Sequence, residues 1–529
     1  MRILVTESLA ESGLARLREV AAVDCLYDLT PQALIDCIGD YQALVVRSAT
    51  RVTARVIEAG RQLKVIGRAG AGVDNIDVDA ATDRGVVVVN VPEGNTIAAA
   101  EHTFGLLMSL ARHIPQANNS LKGGEWKRSK FMGVELYGKV LGVVGLGRIG
   151  LEVARRARAF GMRVLAYDPY VPAERAEKQG IELWPLNDVL RQADFVTVHA
   201  PLTRETHGLI GKRELALMKP GARLVNAARG GIVSEKALYE ALSSGHLGGA
   251  ALDVFEEEPL TAHPLFELQN VIVTPHLGAS TLEAQDYNSI QVAEQIIKVL
   301  QGEPILTAVN LPAVPPEEWQ AIAPYSPLVD VLGRIFAQAM PGRILSIEVL
   351  YAGEVANHPT ALLTNTLLKG LFRCILEEPV NFINAPIVAR KRGIRVTESK
   401  MKDGAYYPNL VTMQVETDQG KRSISGTVSP VGEVHIVEID GYHVDFVPGE
   451  HMLLAWHIDK PGMIGRIGTL MGDNDINIAG MWVGRITKRG RAVMILQVDE
   501  EVNDAILDEV NQIEGILEAR RVRLARREP

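Results

Sequence analysis

Three side chains with acid–base or anion-binding chemistry follow short apolar runs near the middle of the chain: Arg229, Glu258 and His276. A histidine can take up a hydroxyl proton near neutral pH, and a carboxylate bonded to it fixes the ring. An arginine can hold a substrate carboxylate and polarise the neighbouring C–O bond. Together the three residue types predict hydride transfer from a hydroxyl-bearing carbon, with the histidine taking the proton.

Each of the three also has a simpler interpretation. Arg229 can form a surface ion pair, Glu258 is the last of three consecutive acidic residues, and His276 can cap the end of a strand. The catalytic interpretation therefore depends on a cofactor site at the same place.

A glycine motif supplies that site. Gly145 ends the apolar run 138–145, and Gly147 and Gly150 follow where a helical segment opens, at about Ile149. In such a motif the first glycine permits a tight turn, the second lets the backbone approach a pyrophosphate, and the third allows close helix–strand packing. The helix N-terminus then presents free N–H groups to the anion. The pattern predicts a dinucleotide site, and the alternative is a glycine-rich turn without a ligand.

The nature of the dinucleotide follows from Asp168, which ends the next apolar run, 163–168. Its carboxylate can accept hydrogen bonds from ribose hydroxyls and would repel a 2′-phosphate. Pro169 and Tyr170 come next and provide no arginine for such a phosphate. NAD is therefore expected as the cofactor, unless Asp168 only caps the turn before Pro169.

Two series of apolar, β-branched runs position these residues. Five precede residue 96, at 2–7, 22–27, 43–48, 64–68 and 86–90, and six follow, at 138–145, 163–168, 193–199, 222–228, 249–254 and 270–275. Runs that alternate with helical segments are typical of parallel, doubly wound sheets, whose strand ends line the ligand crevice. Helices at about 95–113, with Asn95 or Thr96 as N-cap, and 281–301 should join the two sheets.

The C-terminal half has a different pattern. Six prolines between residues 304 and 327 indicate a boundary, residues 325–450 have an α+β pattern, and residues 452–529 follow the order βαββαβ of a ferredoxin-like domain. The predicted division is a substrate domain of residues 1–96 and 282–310, a nucleotide domain 97–281, an intervening domain 311–450 and a terminal domain 451–529.

Composition narrows the function classes. The net charge of −9 over 529 residues does not suggest a nucleic-acid partner. The three cysteines, Cys25, Cys37 and Cys374, form no CxxC pair, so neither a metal site nor a disulfide framework is expected. Without a signal-like or membrane-spanning run, we expect no membrane association and a cytoplasmic location.

Five segments resemble the signatures of the D-2-hydroxyacid dehydrogenase family, and the similarity extends over residues 1 to about 310. They are RAGAGVDNID (68–77), GLGRIG (145–150), NAARGGIV (226–233), GAALDVFEEEPL (249–260) and TPHLGAST (274–281). The resemblance implies a Rossmann-type domain inserted in a flavodoxin-like one. It makes Arg229 the substrate-binding arginine, His276 the base and Glu258 its paired acid. It implies NAD contacts by Arg148, Ile149, Asp168, Ala200, Ala227, Asp253, Gly278 and Ala279, with Asp253 near the nicotinamide carboxamide.

The first domain suggests the substrate. Arg47 and Arg68 end two of its strands, and two guanidiniums at a cleft suit a phosphate. Arg128 lies in a basic cluster. This cluster can add positive charge to the substrate site of a neighbouring subunit, or it can be a solvated loop without a role in binding. The surrounding segments resemble family members that oxidise 3-phospho-D-glycerate in L-serine biosynthesis. The predicted substrate contacts are Arg47, Ser48, Arg68, Gly70 and Arg128. The alternatives are oxidation of 2-hydroxyglutarate or glycerate, and an NAD-sensing corepressor.

The last domain suggests regulation. The segment 457–481 resembles the first half of an ACT regulatory domain, which binds an amino acid between paired copies. The resemblance implies Asp459 and Asn477 as effector contacts, L-serine as the effector and a homodimer or homotetramer. Asp459 to Gly462 can alternatively form a simple strand–helix turn.

Overall fold

The computed structural model describes residues 1–301, 303, 308–312, 314–402 and 407–524. Its N-terminal part, the first α/β unit, contains a parallel sheet whose apolar strands are almost completely buried at the centre. The elements are β1 (Arg2–Val5), α1 (Glu11–Arg18), β2 (Ala22–Cys25), α2 (Pro31–Cys37), β3 (Ala43–Val46), α3 (Ala54–Ala59), β4 (Val65–Arg68), α4 (Val78–Asp83) and β5 (Val87–Val89). The strand order β2-β1-β3-β4-β5 is the flavodoxin-like order.

The second α/β unit contains a parallel sheet of seven strands. Its elements are α5 (Thr96–Arg112), α6 (Ile114–Lys122), β6 (Val140–Val144), α7 (Arg148–Ala159), β7 (Arg163–Tyr167), α8 (Ala173–Glu177), β8 (Glu182–Leu183), α9 (Leu186–Gln192), β9 (Phe195–Val198), α10 (Lys212–Leu217), β10 (Arg223–Asn226), α11 (Glu235–Ser243), β11 (Gly249–Leu252) and β12 (Val271–Val273). The order β12-β11-β10-β9-β6-β7-β8 is doubly wound around β6, as in a Rossmann sheet. Six of the seven strands were predicted. The edge strand β8 was missed because two residues give no hydrophobic pattern.

Two helices join these units. Helix α5 packs Ala100, Phe104 and Leu107 into the core of the second unit, and α12 (Leu282–Gln301) packs Val292 and Ile296 into the core of the first. The chain therefore leaves the first unit at α5 and returns to it at α12, as predicted. Asn95 occupies the N-cap position of α5, but its side chain makes no capping hydrogen bond.

The third unit is a six-stranded mixed sheet covered on one face by helices. Its elements are α13 (Pro316–Ile322), α14 (Ser326–Ala339), β13 (Ile344–Gly353), α15 (Ala361–Ile375), α16 (Ala385–Lys391), β14 (Arg395–Met401), β15 (Asn409–Thr417), β16 (Gly420–Val428), β17 (Val434–Ile439) and β18 (Tyr442–Phe446), with strand order β14-β13-β15-β16-β17-β18. The α+β class is confirmed. Part of the predicted proline-rich boundary, residues 304–307 and 313, lies outside the described residues.

The fourth unit has the predicted βαββαβ order. Its elements are β19 (His451–Ile458), α17 (Met463–Asp473), β20 (Ile478–Arg485), β21 (Arg491–Val498), α18 (Asp504–Gln512) and β22 (Ile516–Arg523), with strand order β20-β21-β19-β22. Alternate residues of a strand point to opposite faces of a sheet. On β19, Leu453 packs against the helices of this unit, whereas Leu454 and Trp456 pack into the core of the third unit. The third and fourth units therefore share one hydrophobic core.

The third unit also contacts the first directly. The Asn381 amide donates to the Gly85 carbonyl at 2.7 Å, and Ile383 is buried in the core of the first unit. An ion pair of 2.8 Å between Lys391 and Asp83 lies beside this contact, although exposed pairs stabilise proteins little. Within the described part of the chain, no helix combines the length and the apolar character that a membrane span needs.

Leu454→Ala should destabilise the third and fourth units together. The side chain is fully buried in their shared core, and removing such a leucine typically costs about 2–5 kcal/mol. Hydrogen exchange should show faster opening in both units and unchanged protection around β6. Leu517→Ala, at a half-exposed site on β22, is the matched control and should have little effect. Faster exchange in the fourth unit alone would contradict the shared core.

Candidate active site

The ends of strands from both α/β units meet at one cavity. Arg47 follows β3, Arg68 ends β4, and His276 follows β12 on the opposite side of the cleft. The cavity is lined by Ser8, Ala10, Arg47, Ser48, Arg68, Ala69, Gly70, His276, Ala279, Ser280, Gln285, Asn288 and Ser289. The structure thus brings four of the five predicted substrate contacts to the predicted base.

His276 and Glu258 form a direct pair, with 2.6 Å between Nδ1 of the ring and Oε2 of the carboxylate. The other carboxylate oxygen accepts the Phe255 N–H at 3.0 Å. Burial alone would raise the pKa of Glu258, but the hydrogen bonds from His276 and Phe255 outweigh it and lower that pKa below its usual value. A charged carboxylate can only accept, so Nδ1 carries the proton and Nε2 is left as the acceptor for a substrate hydroxyl.

The predicted cofactor residue Asp253 lies directly behind this pair. Its side chain is buried, and it accepts hydrogen bonds from Thr274 and from the backbone N–H groups of Leu277 and Gly278. Burial raises the pKa of Asp253, but the bonds from His102, Thr274 and Leu277 lower it more. The carboxylate is therefore charged and supports the segment that carries His276. A contact with the nicotinamide carboxamide remains a prediction.

Arg229 reaches across the cleft to the first unit. Its Nε donates to Asp74 at 3.0 Å, and its NH1 donates to the Ala228 carbonyl at 2.7 Å. The guanidinium lies against Gly72, where a Cβ would overlap it. Arg229 does not line the cavity of Arg47 and His276, but its position beside segment 68–77 lets its charge act on the adjacent Arg68.

Arg68 is a largely buried cation at the cavity, and it lies near the charges of Arg229 and Arg47 and of the carboxylates Asp74 and Glu7. Burial lowers the pKa of Arg68 to about 10, and the charges of Arg229 and Arg47 act in the same direction. Its Nε is buried and has no hydrogen-bond partner among the described residues. A buried donor without a partner is costly, so an anionic ligand at this point would stabilise the site. Gly70 leaves the space that the guanidinium occupies, because a Cβ there would overlap it.

Two acidic positioning residues were missed from the sequence. Glu7 follows β1 and accepts the backbone N–H groups of Arg47, Ala49 and Thr50 at 2.8, 3.0 and 2.9 Å, which fixes the loop that presents Arg47. Asp74 holds Arg229. The strand-end rule that selected Arg47 would also have selected Glu7, whereas no local signal marks Asp74.

The glycine motif adopts the expected strand–turn–helix geometry. Gly145 has a φ of +95°, and a Cβ there would lie 2.7 Å from the carbonyl of His199. A Cβ at Gly150 would overlap the Gly145 carbonyl, whereas nothing lies within 4 Å of one at Gly147. The turn is thus open on the side where a pyrophosphate is expected. Asp168 accepts the Leu146 N–H at 2.8 Å, so the acid is tied to the glycine turn.

The other predicted NAD contacts lie at the same edge of the sheet. Arg148 and Ile149 begin α7, and the others follow strand ends: Ala200, Ala227, Gly278 and Ala279. Asp168 also accepts the Tyr170 N–H at 2.9 Å, the turn-capping bond considered as its alternative role. The position of these groups at one edge of the sheet fits a bound dinucleotide. Each individual contact remains a prediction. Among the described residues, no cluster of His, Cys, Asp and Glu could hold a metal ion.

Three predicted site residues lie elsewhere. Arg128 begins a short, exposed 3-10 helix and does not line the cavity of its own chain. Asp459 follows β19 and pairs with Arg485 at 3.1 Å, whereas Asn477 precedes β20 and donates to Asp499 at 2.6 Å. Strands β19 and β20 are both antiparallel to β21, so Asp459 and Asn477 lie at opposite ends of the sheet. One chain therefore does not bring the two predicted effector contacts together.

Comparisons with known proteins agree with this geometry. Residues 104–278 match the NAD-binding domain of D-isomer specific 2-hydroxyacid dehydrogenases, residues 321–440 the D-3-phosphoglycerate dehydrogenase intervening domain, and residues 451–515 the ACT domain. The D-3-phosphoglycerate dehydrogenase of Methanocaldococcus jannaschii is 48% identical, with 98% of each chain covered. That of Bacillus subtilis is 44% identical, with 99% of each chain covered.

The chain belongs to the D-3-phosphoglycerate dehydrogenase family. Its first two units also resemble a solved D-lactate dehydrogenase from Aquifex aeolicus in complex with NAD and lactic acid. That likeness has a TM-score of 0.52 and 28% identity, and it covers 57% of this chain and 96% of the other. The apo D-lactate dehydrogenase of Escherichia coli gives a TM-score of 0.53 at 29% identity, covering 58% of this chain and all of the other. The D-2-hydroxyacid dehydrogenase resemblance and the NAD cofactor are therefore confirmed.

A buried histidine, His199, lies against the glycine turn. His199 follows β9, and its Nε2 lies 2.9 Å from the Thr197 hydroxyl. Its Nδ1 is shielded from solvent and has no hydrogen-bond partner in the described part of the chain. Burial lowers the pKa of His199 to about 3. The ring is therefore neutral in the folded protein at physiological pH.

This histidine should make the second unit acid-sensitive. The pKa of His199 in the folded protein lies below the ordinary value of 6.5. The contribution of the neutral ring to the free energy of unfolding is therefore complete above pH 6.5. It is lost as the pH falls, by at most about 1.4 kcal/mol per pH unit. The melting temperature of the wild type should fall more steeply from pH 7.5 to pH 5.5 than that of His199→Gln, because glutamine does not titrate. Equal slopes for the two proteins would contradict the buried, neutral ring.

Proposed function

We propose that this protein catalyses the NAD-dependent oxidation of 3-phospho-D-glycerate to 3-phosphooxypyruvate, the first step of phosphorylated L-serine biosynthesis. The observation that carries this function is the convergence of the His276–Glu258 pair with two arginines of the first unit at one cavity. Full-length similarity to D-3-phosphoglycerate dehydrogenases supports the same substrate. We also propose the predicted domain division, with the substrate bound between the first two units.

We propose a role for each side chain that is compatible with this geometry. Nε2 of His276 accepts the C2 hydroxyl proton as hydride leaves C2, and Glu258 stabilises the imidazolium that forms. Arg229 holds the substrate carboxylate, and Asp74 orients it by occupying its Nε. Arg47 and Arg68 receive the phosphate. The glycine turn and Asp168 are the groups that would hold NAD, which would supply the hydride acceptor when bound.

Two rivals are less well supported. Glycerate would leave the charge of Arg68 without a counterion, whereas the second carboxylate of 2-hydroxyglutarate could use the same arginines as a side substrate. An NAD-sensing corepressor would not need the ACT domain that this chain carries. Initial rates of NADH formation over a panel of 2-hydroxy acids, with and without phosphate, separate these functions.

Arg47→Ala should mainly raise KM for 3-phospho-D-glycerate, since losing a hydrogen-bonded ion pair to phosphate costs about 1.5–3 kcal/mol, or roughly tenfold or more. kcat should change less because Arg47 does not contact the reacting carbon. Arg51→Ala, in the same loop but exposed and outside the cavity lining, is the control. An unchanged KM in Arg47→Ala would exclude phosphate recognition there.

The proposed assembly is a homodimer or homotetramer of a cytoplasmic enzyme. Helix α6 has no buried residue, and the segment after it exposes Trp126, Met132 and Tyr137 by about four-fifths. Such an apolar segment favours pairing with a second copy, which could bring Arg128 to the partner's cavity. The opposite ends occupied by Asp459 and Asn477 likewise favour an effector bound between two ACT domains in antiparallel contact.

L-serine is the proposed effector of this ACT domain. Asp459→Ala should raise the L-serine concentration for half-inhibition by about tenfold, because it removes one charge-assisted contact to the amino group. Asp508→Ala, which removes an exposed carboxylate of the same domain, is the control and should leave inhibition as in the wild type. Initial rates over a range of serine concentrations give the result. Unchanged inhibition in Asp459→Ala would move the effector site elsewhere.

A further inference from the structure

Helix α5 carries a histidine that the reaction described above does not use. Nε2 of His102 lies 3.1 Å from Oδ1 of Asp253 and 3.2 Å from the hydroxyl oxygen of Thr274. The ionised Asp253 can only accept, so Nε2 carries a proton and donates. About three-quarters of the His102 side chain is shielded from solvent, which strengthens such a bond.

Asp253 passes this contact to the segment that carries the base. Besides His102, its Oδ1 accepts from the Thr274 hydroxyl at 2.6 Å and the Leu277 N–H at 2.7 Å, and its Oδ2 accepts from the Gly278 N–H at 2.9 Å. The backbone carbonyl of Asp253 accepts the His276 N–H at 2.9 Å. One residue therefore fastens the whole segment 274–278.

That segment needs fastening because of its backbone conformation. His276 has a φ of +55°, in the left-handed region, which costs a residue with a Cβ about 1–2 kcal/mol. This conformation turns the imidazole toward Glu258. If the bonds to Asp253 weaken, the backbone can relax and the 2.6 Å contact between His276 and Glu258 is lost.

His102 also connects the two places where the chain crosses between the α/β units. It lies in the second turn of α5, the outgoing crossing, and Thr274 begins the segment that leads into α12, the returning one. Asp253 lies between them at the end of β11. The same hydrogen bonds therefore join both crossings and the base.

We propose that His102 is a positioning residue for the reaction: it donates to Asp253 and thereby holds His276 in line with Glu258 and the substrate hydroxyl. The inference rests on the proposed function for the identity of the base. It does not depend on which 2-hydroxy acid is oxidised.

A pair of variants at position 102 tests the bond. His102→Leu removes the donor, and kcat should fall about tenfold to a hundredfold, the range for losing a hydrogen bond to a charged group. KM for the hydroxy acid should change little because His102 does not touch it. His102→Gln retains a donor at the position of Nε2 and should recover most of kcat. The proposal would be overturned if both variants lost kcat equally. It would also be overturned if only the KM for the hydroxy acid or for NAD changed.

A double-mutant cycle with Thr274→Val tests the route through Asp253. If His102 and Thr274 act through the same carboxylate, the double variant should lose less kcat than the product of the two single losses. Independent, multiplicative losses would overturn the proposal. Thermal unfolding of each variant shows whether it is folded.

The outcome is separable from that of the proposed function. If the wild type oxidises a different 2-hydroxy acid, the substrate assignment fails and the same variants are compared on that acid. If it oxidises none, the proposed function fails as a whole. A crystal structure of His102→Leu then decides the positioning claim, and an unchanged segment 274–278 would overturn it.

Discussion

The hydrogen bond between His276 and Glu258 is the interaction on which the rest of this architecture depends. It joins two side chains that are 18 residues apart, on a strand end and in a loop of the second unit, at 2.6 Å. A neutral imidazole beside a charged carboxylate has one fixed tautomer, and only that tautomer offers Nε2 to a hydroxyl group. Parallel β11 and β12 end at the same edge, which places Asp253 behind the histidine and the glycine turn farther along the edge. The second sheet therefore places the proton acceptor His276, its support Asp253 and the glycine turn at one edge.

The first unit contributes charge instead of acid–base groups. Arg47 and Arg68 face the cavity, and Glu7 and Asp74 hold Arg47 and Arg229 in place, so that three guanidiniums approach one another near two carboxylates. A polyanionic ligand would reduce their mutual repulsion. The third unit touches this first unit at Gly85, and shares its core with the fourth. A change in the ACT domain thus has a continuous packed route to the sheet that presents the arginines.

Much of this was predictable from the sequence, for a physical reason. Continuous apolar runs predict parallel strands that are buried on both faces, and the residues after such strands lie at the ligand crevice. This rule placed five site residues from the sequence alone: Arg47, Arg68, Asp168, Arg229 and His276. Contacts across the cleft could not, because the partner of Arg229 is Asp74, 155 residues earlier. His102 gave no signal either, since a polar residue on a linking helix is indistinguishable from a solvated one. The positions of Asp459 and Asn477 at opposite ends of their sheet required the strand directions.

The most direct test of His276 as the proton acceptor is the rate of hydride transfer in His276→Ala. Stopped-flow NADH absorbance gives this rate with 2-deuterated and with unlabelled 3-phospho-D-glycerate. The account predicts that the transfer step slows by about 10² or more, and that a primary isotope effect dominates turnover because chemistry has become limiting. A transfer rate close to that of the wild type would contradict the account, since the proton would then have an acceptor other than His276.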